Sequence, residues 1–167
     1  MSNAISGGIT LSSSLVQQLD AGAARLNAFA VPVQPSVTQS YAAGTGANQA
    51  NKIYQASGSA AAAPVDTDLT TCVCVDGSTG FSHVREVILF NDDTNDAHTL
   101  LIDGSVSNAF APYLQGTAPK LEVRGGAAER KSHPIGTNGW TVDSTHKVFA
   151  IDPGANTVAY RLIVVGD

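Results

Sequence analysis

The chain has 167 residues, enough for one compact domain and an arm, with a formal net charge of −5 and a pI near 5.1. Neutralising phosphates takes clustered Lys and Arg, and here the densest basic group, Arg124, Arg130 and Lys131, is interleaved with Glu122 and Glu129, which argues against a nucleic-acid partner. Charged residues are only 14% of the chain, against about 25% in an average domain, and Ala, Gly, Ser, Thr and Asn fill the gap, giving a bland surface suited to packing against other protein.

The first eight residues, MSNAISGG, lack a basic stretch followed by an apolar one, so no cleavable secretion signal is expected. No apolar run approaches the roughly 20 residues needed to span a bilayer, so no membrane partner is expected either. From Ile9 to Leu26 the residues Leu11, Leu15, Leu19, Ala23 and Leu26 recur at spacings of four and three, which predicts an amphipathic helix with its stripe buried on the body or on a neighbouring subunit. From Asn27 to Pro64 the chain turns small and polar, with Pro32 and Pro35 and several glycines. That stretch reads as an extended arm, in which Phe29–Val33 and Val37–Tyr41 are short edge-strand candidates. The expected organisation is therefore residues 1–64 as helix and arm and residues 65–167 as a β domain.

Beyond Val65, turn signals recur every 8–15 residues and helical periodicity is absent. Strands are predicted at Asp66–Val75, Ser82–Asn91, His98–Asp103, Lys120–Arg124, His146–Ile151 and Thr157–Val165, with a weaker one at Trp140–Val142. These make a mainly β protein, an antiparallel β-sandwich or jelly-roll-like body of seven or eight strands. In the last run Val158, Tyr160, Leu162 and Val164 alternate with Ala159, Arg161, Ile163 and Val165. Both faces are apolar except at Arg161, so this strand is expected at the centre of its sheet, closing the chain as a β-hairpin around Pro153, Gly154 and Asn156.

The residues that chemistry would require are missing as sets. His83, His98, His133 and His146 stand singly, outside any HxH, HxxxH or HExxH spacing. Cys72 and Cys74, at i and i+2, would close only a strained ring, and they read as small buried hydrophobes. Asn91, Asp93 and Asn95 open like a calcium loop, but the sixth and twelfth positions are Asp96 and Ile102 where Gly and Glu are needed, so the loop reads as a solvated turn. The glycines of AAGTGANQ, VRGGAA and PIGTNGW neither follow a strand nor open a helix, and are not phosphate cradles. Trp140 and Tyr113 could form a sugar-stacking platform, although such rings are more often core or interface anchors. No catalytic, metal or cofactor residue is expected, and no enzyme activity.

Taken as an ordered set, SYAAGTGANQANKIY (residues 40–54), VREVILFND (84–92), SNAF (107–110), LEVRGG (121–126) and VFAIDPGANTVAYRLIVVG (148–166) resemble a family of small structural proteins from the virion modules of tailed bacteriophages. The family's Val-Arg-Pro-Gly-Gly-like turn appears here without its proline, as Val123-Arg124-Gly125-Gly126, and the CVC segment and the loop Asp92–Asp96 are not features of that pattern. The resemblance implies a non-enzymatic virion component made in the host cytoplasm. The expected role is a capsid decoration (cement) protein on the head surface, bound to the major capsid protein and self-associated, with a trimer expected because capsid lattices offer three-fold positions. A tail or head-fibre component, or a receptor- or glycan-binding module, is the alternative.

Overall fold

The computed structural model describes residues 8–11, 37–115, 119–134 and 136–167. Its strands are β1 (Gly8–Leu11), β2 (Val37–Ser40), β3 (Lys52–Ala61), β4 (Val65–Asp68), β5 (His83–Asn91), β6 (Leu100–Asp103), β7 (Lys120–Val123), β8 (Ala128–Ser132), β9 (Trp140–Thr141), β10 (Val148–Asp152) and β11 (Thr157–Gly166). The described residues contain no helix, and the protein is mainly β. A five-stranded sheet runs β3-β11-β5-β8 with β9 also on β5, a four-stranded sheet runs β4-β10-β6-β7, and β1 pairs with β2; every pairing between strands is antiparallel.

The two larger sheets share one core. Across the smaller one, Val65, Ile151, Ile102 and Leu121 stand at the same register, and all four belong to or pack on that core. Across the larger one the rows are Ala56, Leu162, Leu89 and Tyr54, Val164, Val87. Phe110, 1% exposed, is inserted at the start of β10, where its N–H donates to the Val148 carbonyl at 2.6 Å.

β11 is the central strand the alternation predicts, flanked by β3 and β5, with Val158, Tyr160, Leu162 and Val164 buried and Ala159 and Arg161 exposed. The expected terminal hairpin is corrected: β10 pairs with β4 and β6 in one sheet, and β11 pairs with β3 and β5 in the other. Each strand finds both neighbours elsewhere, so the Pro153–Asn156 turn carries the chain across the core. Asp152 Oδ1 holds the Gly154 N–H at 2.8 Å, and the Asn156 carbonyl accepts from Ala62 N–H at 3.2 Å.

Residues 52–61, expected within the arm, form a ten-residue strand paired with β11 along its whole length. Low hydrophobicity hid it. Its Gly58 lies against the Tyr160 ring. The strand expected at Val37–Tyr41 is seen as β2, Val37–Ser40, whereas Ile9–Leu11, expected to begin the helix, lie in β1. Ser12–Leu26 and Phe29–Val33 lie outside the described residues. The strand expected at Asp66–Val75 stops at Asp68, whose Oδ1 accepts the Thr70 N–H at 2.9 Å and turns the chain. Strand β8, AERKS, was not expected from its polar sequence.

At one end of the molecule the β5–β6 and β7–β8 connections interlock. The Gly126 N–H donates to the Asn91 carbonyl at 3.0 Å, and a Cβ on Gly125 would sit 2.0 Å from the Asn95 carbonyl oxygen. Backbone meets backbone there, so Gly125→Ala should cost about 2 kcal/mol or more, read as a lower midpoint in urea unfolding. An unchanged midpoint would show that the two turns can separate freely.

Candidate functional site

The pairing of β5 with β11 slips between Val165 and Gly166: Val165 faces Glu86, Gly166 faces Val84, and Arg85 is the extra residue of a β-bulge. A bulge re-aims side chains. Here it buries two successive charges in one strand, Arg85 at 2% exposure and Glu86 at 0%.

Arg85 is clasped by the AAGTGANQ loop. Its Nε donates to the Gln49 carbonyl at 2.8 Å, and its Nη2 donates to the carbonyls of Thr45 and Gly46, both at 3.1 Å, and to Asp167 Oδ2 at 2.6 Å. The other Asp167 oxygen lies 3.1 Å from His83 Nδ1. The glycines are what close the loop: Gly44 has φ +141°, and a Cβ there would sit 2.3 Å from Gln49 Oε1, which itself accepts the Gly46 N–H at 2.9 Å. Carbonyl oxygens turned inward on a fixed cation make this glycine loop a cradle for an arginine of its own chain.

A second glycine segment roofs the same place. Gly136 N–H donates to Asn48 Oδ1 at 2.9 Å, and Gly139 lies so close over Arg85 that a Cβ would be 2.6 Å from Nη1. The loops AAGTGANQ and PIGTNGW, far apart in sequence, therefore meet on one guanidinium. The third, VRGGAA, goes elsewhere, to the Asn91–His98 turn.

Glu86 makes the companion anchor. One oxygen is bound by Arg130 Nε and the other accepts the Tyr41 hydroxyl at 3.0 Å. Burial, and then the neighbouring Glu86 carboxylate, push the Tyr41 phenol well above its ordinary range, so it remains a donor. Tyr41 directly follows β2. Arg85 and Glu86 together thus fasten residues 41–50, where the N-terminal segment enters the larger sheet. Neither residue was singled out from the sequence. The available signal was a pair of successive opposite charges in VREVILF, which breaks a strand's alternation as a bulge does.

The 91–98 loop, read from the sequence as a solvated turn, bonds to its own backbone. In the 91–98 turn, Asn91 Oδ1 accepts Asp93 N–H, Asp93 Oδ1 accepts Asn95 N–H and Asn95 Oδ1 accepts Ala97 N–H, at 3.1, 2.9 and 3.0 Å. Asp93 also meets His98 Nδ1 at 2.9 Å, and Asp92 binds Arg161 through both oxygens at 2.6 and 2.8 Å. Among the described residues no three His, Cys, Asp or Glu are placed to hold a metal. Cys74 is buried and Cys72 half-buried, both unbridged. Burial, with Cys74 adding to it, pushes the Cys72 thiol up to about 11 and leaves it unreactive at neutral pH. The histidines remain apart: His83 on Asp167, His98 on Asp93, His146 on Asp143, and His133 against Trp140.

Trp140 and Tyr113 do come together, with ring centroids 5.2 Å apart, and the His133 ring stands edge-on to Trp140 at 5.0 Å. All three are partly exposed, and the Tyr113 hydroxyl is buried without a hydrogen-bond partner among the described residues.

Two surface carboxylates are held furthest below their ordinary range. The Lys147 ammonium, 2.8 Å away, and then the Thr70 hydroxyl hold Asp68 at about 2 instead of 3.8; the Thr145 hydroxyl and backbone hold Asp143 at about 2. A carboxylate depressed in the folded state adds stability above its unfolded pKa and loses it as pH falls through the folded value. Stability should therefore decline from about pH 4 down to about pH 2. Asp68→Asn should flatten that slope in thermal scans; a slope equal to the parent's would remove Asp68 as a contributor.

Comparison with family models, with curated proteins and with solved structures finds no match to this chain. Among the described residues no helix is long and apolar enough to cross a membrane.

Proposed function

We propose that this protein is a non-enzymatic structural component of a tailed-phage virion, a capsid decoration protein that binds the major capsid protein and stabilises the head. The observation that carries this reading is the clasp. The most deeply buried charges among the described residues, Arg85, Glu86 and Asp167, hold the root of the N-terminal segment. Strain on a segment gripping a shell would be borne at that root. A shell pressurised from within by DNA gains stability when interface is added across its capsomer boundaries, and a tethered arm adds contact area without a larger core.

The finer fold fits the same reading. Strand orders β3-β11-β5-β8 and β4-β10-β6-β7 support a sandwich with jelly-roll connectivity, an architecture found in viral capsid and lectin domains. Electron microscopy of particles carrying the protein is expected to place it on the head; a position confined to the tail would overturn the proposal. Deleting residues 1–27 should leave the two large sheets folded and abolish particle binding, so retained binding would remove the N-terminal segment from the interface.

The Trp140–Tyr113–His133 group favours a second reading, a tail- or head-fibre module that recognises a cell-surface glycan. It requires saccharide binding that Trp140→Ala weakens while the melting temperature holds. A variant that merely unfolds makes the ring a core anchor.

A further inference from the structure

β3 is the outer strand of the five-stranded sheet, and its backbone alternation is fixed at both ends. Ala62 N–H donates toward the β11 side, to the Asn156 carbonyl, and the Ile53 carbonyl accepts from Val75 N–H on the opposite side. Continuing that alternation, Tyr54, Ala56, Gly58 and Ala60 bond to β11, and Gln55, Ser57 and Ser59 turn their N–H and C=O groups outward. Those three residues are exposed, and no described residue hydrogen-bonds to their outward groups.

An open edge of this length is normally protected by Lys, by Pro, by a bulge or by a covering segment. From Ile53 to Ala63 there is no charged residue and no proline, and the register with β11 runs without a slip. At the Ile53 end stand Val73 and Val75, 64% and 70% exposed, the only large apolar side chains that exposed among the described residues. At the other end runs Ala61-Ala62-Ala63, also exposed. Lys52, just before this stretch, donates its ammonium to the Gly80 carbonyl at 2.8 Å.

Each end is thus the complement of the other in apolar character, around a neutral centre of Gln55, Ser57 and Ser59. A surface complementary to itself end to end is what a two-fold axis requires. We infer that two copies of this chain join β3 to β3, antiparallel, with the two Ser57 residues facing each other across the axis. Gln55 then pairs with Ser59 of the second copy, and Val73 and Val75 of each copy meet the Ala61–Ala63 run of the other. The two five-stranded sheets become one. The symmetry is two-fold where capsid-lattice reasoning leads to a trimer, and it holds whether or not the protein binds a capsid.

Sedimentation of the full-length chain at micromolar concentration should show a dimer. Ser57→Pro removes one outward N–H and no bond to β11, and Ser57→Glu sets two carboxylates side by side at the axis. Both should raise the dissociation constant about tenfold or more with circular dichroism unchanged. If the proline variant misfolds, the glutamate variant decides. Ser57→Cys should give, on oxidation, a disulfide between the two copies of residue 57, mapped by mass spectrometry, because facing Cα atoms in such a pair lie ~5.5 Å apart. A monomeric parent overturns the inference, whether the edge then lies bare or serves another protein. So does a dimer or trimer that Ser57→Glu leaves intact.

Discussion

Arg85→Ala is expected to lower stability by about 3–5 kcal/mol and to release residues 41–50 from the sheet. The loss has two parts. Asp167, with its side chain 3% exposed, is left without its guanidinium 2.6 Å away, and the carbonyls of Thr45, Gly46 and Gln49 lose the donor that holds them together. Arg85→Lys should recover only part of the stability, since an ammonium cannot address several oxygens with a planar fork. Urea unfolding gives the magnitude, and amide exchange at residues 41–50 gives the location. Faster exchange confined to the core strands, with the loop unaffected, would mean that the clasp does not hold the arm root.

Leu162→Ala should cost about 2–5 kcal/mol, and Ile163→Ala, one residue along the same strand, about 1 kcal/mol. Leu162 is fully buried between Ala56 and Leu89 on the inner face, whereas Ile163 is half-buried on the outer face. Equal losses would show that the outer face of β11 is as tightly packed as the core. Chemical denaturation of both variants measures the difference directly, with errors in the unfolded-state reference largely shared.

Among the predicted strands that survive, β5, β6, β7, β10 and β11 are those where apolar residues alternate or run together, as in VREVILF and VAYRLIVV. Side chains that must be buried leave a trace in the sequence. β3 leaves none, because it is held mainly by ten backbone pairings to β11, and Ser, Gly and Ala record nothing of those. β8 is concealed for another reason: at the sheet edge its Glu129, Arg130 and Lys131 can all reach partners, so its sequence looks like a loop. The turn at Pro153–Asn156 was legible as a turn, but turn residues do not say whether the next strand lies beside the last one or across the core. The acidic loop was legible as a solvated turn from its Asn and Asp alone. The clasp was not, since Arg85 gains its meaning from carbonyls some forty residues away in sequence, brought within 3.1 Å only by the fold.

The position of β11 has a consequence for how the protein comes to be made. Residues 157–166 are the common neighbour of β3 and β5, strands that precede them by roughly a hundred and by seventy residues. During synthesis those two strands wait, each with its inner edge unsatisfied, until residues 157–166 have emerged. Contacts this distant in sequence close slowly, and exposed edges are where nascent chains find wrong partners. The larger sheet therefore closes only once residues 157–166 have been made, in a single late step, and the interval before it is when the nascent protein is most exposed to misassembly.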